Sequence, residues 1–196
     1  NLTNDCNDFN CLDNRLNFIE GTLKPDTYFY KHSSSLAEIL KQSQSEFFDR
    51  SLNLWSDKNI NSPLKTFSDA IILASIVEKE AGNDEEKPII AGVFLHRLAI
   101  GMKLQADPTI IYGLMPNFNG NITKANLRDK TNPYNTYQIS GLPPTPISTI
   151  SQSSLEAVIL GMQNDYLYFV ARGDGTHKFS KTYKEHLDAV KKYQLN

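Results

Sequence analysis

The segment IILASIV, from Ile71 to Val77, has an apolar or small side chain at every position, and Glu78, Lys79, Glu80, Ala81 and Gly82 follow it directly. At about 100° of rotation per residue such a run covers nearly the whole circumference of a helix, so the rest of the chain must wrap around it. The spacing predicts a core helix from about Ser68 to Ala81, stopped by Gly82 in a left-handed C-terminal cap. Everything else in the fold has to be arranged around that helix.

The two acids at its end point in different directions. Glu78 falls in line with Phe67, Ile71 and Ala74, whereas Glu80, about 200° away, aligns with Asp69, Leu73 and Ile76. A carboxyl at the end of a buried helix costs free energy unless it is paired or sits at the rim of a cavity. Burial raises its pKa and the negative end of the helix dipole acts in the same direction, so either glutamate is suited to serve as a protonated general acid. Each is equally suited to a structural pairing with Lys79, Lys87, Arg97 or a backbone cap. Periodicity reduces the choice to Glu78 and Glu80 and leaves both roles open.

With 196 residues the chain can bury one main core. Its 20 basic and 22 acidic residues leave a formal charge of -2, and no Lys or Arg stripe is present to neutralise a phosphate backbone, which argues against nucleic acid as a partner. No apolar stretch reaches the roughly 18 residues of a membrane span, so the chain as given is expected to be soluble. Residues 1–17 are rich in Asn and Asp and read as a flexible leader or linker remnant, with residues 18–196 as the domain proper. Cys6 and Cys11 in that leader have no His or third Cys nearby, so no metal site is expected; they are two incidental thiols or a short-loop disulfide.

Elsewhere, turn formers at Gly21 and Pro25 precede a short strand-like aromatic run ending at Tyr30. Ser35 and Glu38 form a capping-box pattern opening a helix to about Phe48, and NLWSDKNINSP reads as an irregular link. A third helix begins near Pro88 and ends at Gly101, after which MKLQADPTIIYGL reads as extended, interrupted at Pro108. Residues 116–147 are rich in turns, with one short helix at about Lys124 to Asp129. Ser151 caps a helix carrying Leu155, Val158, Ile159 and Met162. YLYFVARGDGTHKFS is a hairpin around Gly-Asp-Gly, and Thr182 with Glu185 opens a last amphipathic helix. Helices with a few short antiparallel strands make an α+β pattern.

Five stretches carry a resemblance: EGTLKPDTY (Glu20 to Tyr28), ASIVEKEAG (Ala74 to Gly82), AGVFLHRLAIGMKLQADPTIIYG (Ala91 to Gly113), PYNTYQISGLPPTPIS (Pro133 to Ser148) and YLYFVARGDGTHKFS (Tyr166 to Ser180). In this order they resemble the endolytic murein transglycosylases, the MltG or YceG-like family, over about Phe18 to Tyr193. The resemblance implies a lyase acting on peptidoglycan glycan strands, with a helical lysozyme-like transglycosylase core and no cofactor. In that wider group the catalytic Glu ends a buried helix and precedes a small residue. Glu80-Ala81 matches this and Glu78-Lys79 does not, so the resemblance assigns catalysis to Glu80 and leaves Glu78 as a structural partner or alternative acid.

The implied mechanism has Glu80 protonate the glycosidic oxygen between N-acetylmuramic acid and N-acetylglucosamine. The carboxylate then takes the proton of the muramic C6 hydroxyl as that oxygen attacks C1, leaving a 1,6-anhydromuramic end. Only one essential carboxylate is needed, unlike the flanking pair of ordinary glycosidases. Gln105 resembles a cleft glutamine of the wider group, with an exposed strand residue as the alternative. Tyr134, Asn135 and Tyr137 resemble its Ala-Tyr-Asn motif, suited to stacking on a sugar and bonding its acetamido group. Asp107 reads better as a turn cap than as a sugar ligand; a lone histidine after a hairpin turn is more often structural or exposed, and any role of His177 toward the glycan is that of a cleft residue.

The family's N-terminal membrane helix and small LysM-like domain are not recognisable here, and the leader matches nothing in the family. The chain is therefore expected to be the catalytic part of a longer protein anchored at the periplasmic face of the inner membrane. Glycan-polymerising synthases (penicillin-binding proteins) are implied partners. The rival readings are a muramidase-type hydrolase using Glu80 with Asp107 or Asp174 as a second carboxylate, and a catalytically silent glycan-binding scaffold.

Overall fold

The computed structural model describes residues 20–195, so the leader and both cysteines lie outside the described residues. Seven helices and one hairpin occur among them. They are α1 (Leu36–Ser56), α2 (Phe67–Glu80), α3 (Lys87–Ala99), α4 (Asp107–Leu114), α5 (Lys124–Arg128), α6 (Gln152–Glu156), β1 (Tyr168–Ala171), β2 (His177–Ser180) and α7 (Tyr183–Gln194). A π-helical turn, Ala157–Gly161, continues α6. The strands pair antiparallel, with Tyr168 opposite Ser180 and Ala171 opposite His177. The architecture is mixed, mainly helical with one two-stranded sheet. No helix of the described residues is long and apolar enough to cross a membrane.

Helix α2 is the axis of the core. Every residue from Ala70 to Val77 is buried, and α3, α4, α6 and the π-helical turn all pack against it. Burying side chains such as Leu73, Ile76, Ile90 and Phe94 stabilises by roughly 1.5–3 kcal/mol each relative to exposure, which offsets the entropy of ordering them. The Phe94 ring on α3 meets Phe169 of β1 edge to face, with centroids 5.7 Å apart, and so joins the helical core to the hairpin. Helix α7 closes over both strands.

Capping chemistry sets the helix starts. Ser35 with Glu38 and Thr182 with Glu185 form reciprocal capping boxes, as their spacing predicts, and Thr66 with Asp69 forms another at the start of α2.

Several local expectations are corrected. Helix α1 continues past Phe48 to Ser56, taking in part of the segment read as a link, because Ser51 and the partly buried Trp55 still face the core. The aromatic run Tyr28 to Tyr30 is not a strand: no described strand pairs with it, and Phe29 is 95% exposed. Asp107–Leu114 is a helix rather than an extended segment. Pro108 sits in its first turn, where the missing N–H is no loss, and Asp107 places negative charge at the positive end of the dipole.

Gly82 does not form a left-handed cap, for α2 ends at an extended Ala81. Glycine is needed there for another reason: a Cβ at Gly82 would stand 2.4 Å from the Gly175 carbonyl oxygen in the hairpin turn. The backbone leaving Glu80 therefore touches the hairpin directly.

Candidate active site

Glu80 is the last residue of α2 and opens into a cavity of about 550 Å³. The walls come from α3 (Arg97), the approach to α4 (Gln105, Asp107), the loop at Tyr137, the hairpin (Tyr168, Phe169, His177) and α7 (Tyr183, His186). The residue as a whole is partly exposed, as contact with a ligand requires, while its carboxyl is enclosed enough for burial to dominate its acidity. Burial raises the Glu80 pKa to about 7; the neighbouring Asp107 carboxylate adds to the rise, and Arg97 opposes it. None of these contributions is a hydrogen bond, which leaves the proton of Glu80 available for transfer.

Glu78 occupies a different environment. Its Oε2 accepts from the Ser151 backbone N–H (3.1 Å), the Ser151 hydroxyl (2.6 Å), the Ser154 hydroxyl and Lys87 Nζ (3.4 Å). Burial alone would raise its pKa, but these bonds and the Lys87 charge outweigh burial and hold it below the ordinary carboxylate value. Lys87, nearly buried, also donates to Ser153 and pairs with Asp84 at 2.6 Å. Glu78 is thus the anion that receives the N-terminus of α6, joining α2 and α3 to it. The helical projection that separates the two acids corresponds to one carboxylate in a bonded node and one carboxyl in a cavity.

Asp107 is drawn into the cavity rather than capping a turn. The Tyr137 hydroxyl donates to its Oδ1 at 2.7 Å, and no side-chain cap bond forms at the start of α4. Burial, followed by this bond, pushes the Tyr137 phenol above its usual range, so it stays a neutral donor. Of the two carboxylates expected as a possible second acid, the fold places Asp107 beside Glu80. Asp174, in contrast, is held in the hairpin turn by Thr176 and does not line the cavity.

Gln105 lines the cavity in a left-handed conformation, φ 51°, which is uncommon for a residue with a Cβ. Its N–H is bonded to the Thr136 carbonyl at 3.2 Å, and the buried Thr136 hydroxyl accepts from the Ala106 N–H at 2.9 Å. Such local strain clusters at ligand sites, where surrounding bonds enforce it.

Of the residues in PYNTY, only Tyr137 reaches the cavity. Tyr134 packs edge to face on Tyr112 and bonds Thr145. Asn135 is fully buried, its amide donating to the carbonyls of Asn126, Leu127 and Asp129 and accepting from the Tyr137 N–H. Asn135 and Thr136 hold the segment so that Tyr137 meets Asp107.

The sequence marks Arg97 only as a partner for one of the glutamates. Buried, it donates to the Leu167 carbonyl at 2.7 Å and to the Leu104 carbonyl, and its guanidinium lies 5.6 Å from the Tyr168 ring centre. One charged residue inside the apolar helix AGVFLHRLA was a signal for this position. Tyr168 and His186, stacked with centroids 5.2 Å apart, had no comparable signal. No cluster of three or more metal-binding side chains occurs among the described residues. A second hollow of about 480 Å³, between residues 59–63, α3 and residues 161–165, has Asp165 as its one acid, paired with Lys181.

Fold and site together define an α+β domain that presents one near-neutral carboxyl at the end of its buried central helix. The chain belongs to the YceG-like family, whose sequence model matches residues 3–192 and so takes in most of the leader, contrary to the expectation that the leader matches nothing in the family. An endolytic murein transglycosylase of Bacillus subtilis is 37% identical over 178 residues, covering 89% of this chain and 48% of that protein. One from Streptococcus pneumoniae is 35% identical, covering 78% of this chain and 28% of its own length. The crystal structure of a YceG-like protein from Listeria monocytogenes superposes with a TM-score of 0.74 at 35% identity, over 86% of this chain and 54% of the other. The chain thus spans about half or less of the relatives it matches.

Proposed function

We propose that the chain is the catalytic part of an endolytic murein transglycosylase that cuts the bond between N-acetylmuramic acid and N-acetylglucosamine within peptidoglycan strands. The observation that carries this reading is the Glu80 carboxyl, held at a pKa of about 7 by burial and by Asp107, in a cavity large enough for sugar rings. Relatives named for this activity support it. A silent glycan-binding scaffold would gain nothing from a partly exposed acid whose carboxyl is enclosed and unbonded, which costs stability at neutral pH.

Glu80, protonated, donates to the glycosidic oxygen as the C1–O bond breaks. Its carboxylate then accepts the proton of the muramic C6 hydroxyl as that oxygen bonds to C1. The same carboxyl thus begins and ends the cycle protonated, no water is consumed, and the product carries a 1,6-anhydromuramic end. Aromatic faces such as Tyr168 are suited to stacking on sugars, and Gln105 and Tyr137 to bonding their polar edges. Asn135 and Thr136 serve the reaction by placing Tyr137. The core is read as lysozyme-like, and the parent protein as anchored at the periplasmic face of the inner membrane, cutting nascent strands beside their synthases and so limiting their length.

Asp107 favours one alternative, a muramidase in which that carboxylate activates water. Mass spectrometry of the ends made on purified peptidoglycan separates the two: anhydro ends are expected, and exclusively hydrated ends would replace the lyase with the hydrolase. A pH profile tests the acid itself. Because protonated Glu80 is required, kcat/KM is expected to fall about tenfold per unit as pH rises above about 7. A rate unchanged between pH 6 and 9 would exclude Glu80 as the proton donor.

A further inference from the structure

The loop that leaves Glu80 is tied to the hairpin in three places. Gly82 lies against the Gly175 carbonyl, Asn83 Nδ2 donates to that same oxygen at 3.3 Å, and the Glu86 carboxylate takes two bonds from His177. One Glu86 oxygen accepts the His177 backbone N–H at 2.8 Å, and the other lies 2.7 Å from Nδ1. Asn83 Oδ1 in turn accepts the Glu86 N–H at 3.0 Å. The Glu86 and His177 side chains are only 12% and 11% exposed, and Phe169 meets the His177 ring edge to face. His177 nevertheless lines the Glu80 cavity, and its Nε2 bonds no described residue.

A carboxylate can only accept, so the bond at Nδ1 requires a proton there, and in a neutral ring Nε2 is then an acceptor. We infer that Glu86 and His177 form a dyad in which Glu86 positions the ring and Nε2 accepts a hydrogen bond from a glycan hydroxyl or acetamido N–H beside Glu80. This rests on the glycan-cleaving reading and adds a recognition element to the same cavity. An acceptor here, in the cavity that Gln105 and Tyr137 also line, favours a substrate whose group at this point is a donor.

Glu86→Gln tests the polarity directly. The glutamine oxygen can keep the backbone N–H of His177 while its amide donates to Nδ1, which moves the ring proton to Nε2 and turns the acceptor into a donor. Nitrogen NMR of the wild type at pH 8 should show Nδ1 protonated and Nε2 bare, and the variant the reverse. The variant should retain the wild-type melting temperature within a few degrees and lose about tenfold or more in kcat/KM on uncrosslinked glycan strands. A protonated Nε2 in the wild type, or a switched tautomer with undiminished cleavage, would overturn the dyad.

If Glu86→Gln fails to fold, the decision passes to Glu80→Gln titrated with the same strands: a shifted His177 Nε2 resonance supports the dyad and an unmoved one removes it. A wild-type protein that cuts no glycan defeats the cleavage reading instead. The titration then judges the dyad alone, as a binding element.

Discussion

Glu80→Gln is expected to lower glycan cleavage by about a thousandfold or more, within the range lost when a positioned general acid is removed. The glutamine has nearly the same shape and can neither donate nor take up the transferred proton, so glycan binding should persist while kcat collapses. The same substitution should raise stability at high pH. The folded-state pKa of Glu80 is raised from 4.5 to about 7, so the folded protein binds more protons than the unfolded chain between those values, and stability declines as pH rises through that window. Removing the group lifts the penalty. Because water reaches the cavity, the gain at pH 8 is on the order of 2 kcal/mol, with no difference at pH 4. Thermal melts at both pH values, run beside a cleavage assay, check both parts; a variant that cuts at the parent rate would transfer suspicion to Glu78.

Glu78→Leu should produce the opposite pattern. It leaves the Ser151 N–H, the Ser154 hydroxyl and the nearly buried Lys87 without their shared acceptor at the junction of α2, α3 and α6. Unpaired buried donors cost about 1–3 kcal/mol each and a broken buried ion pair more, but Asp84 still holds Lys87 and Glu78 is 27% exposed. A net loss of about 2–3 kcal/mol is expected. The sign with pH is the usual one for a stabilised carboxylate. Its folded pKa is lowered, so its contribution is present at neutral pH and is lost as pH falls through the carboxylate range. Urea unfolding at pH 7 and pH 3 should show the variant's deficit shrinking at the lower value. Activity per folded molecule should be largely kept, and a loss matching that of Glu80→Gln would contradict the division of labour between the two acids.

Elements with a strong local signal were legible in the sequence. The apolar circumference of Ile71 to Val77 requires burial wherever the helix lies, the capping boxes at Ser35 and Thr182 mark helix starts through bonds within four residues, and Gly-Asp-Gly closes a hairpin by local geometry. Misread segments lacked such signals or obeyed distant ones. Residues 107–114 look extended when Pro108 is taken as an interruption, yet a proline in the first turn starts a helix equally well. Gly82 suggests a left-handed cap, and only the hairpin, some 90 residues on, reveals that the space beside it is occupied.

The site divides along the same line. Helical rotation showed that Glu78 and Glu80 face different ways, because direction around a helix depends on nothing beyond the helix. Which of them meets donors and which meets a cavity depends on where Ser151, Ser154, Asp107 and Arg97 lie, and those positions follow from long-range packing. The motif PYNTY brings one side chain to the cavity, and burial separates its members: Asn135 bonds carbonyls at the end of α5, and Tyr137 meets Asp107.

By itself, then, the sequence determined that a wrapped central helix ends in two acids on different faces, since side-chain direction and apolar burial are local properties. Only the tertiary structure decided that Glu80 stays near neutrality beside Asp107 and that Glu86 holds His177. A pKa and a side-chain pairing are set by whatever surrounds a group, and here the surroundings arrive from α3, α4, the hairpin and α7.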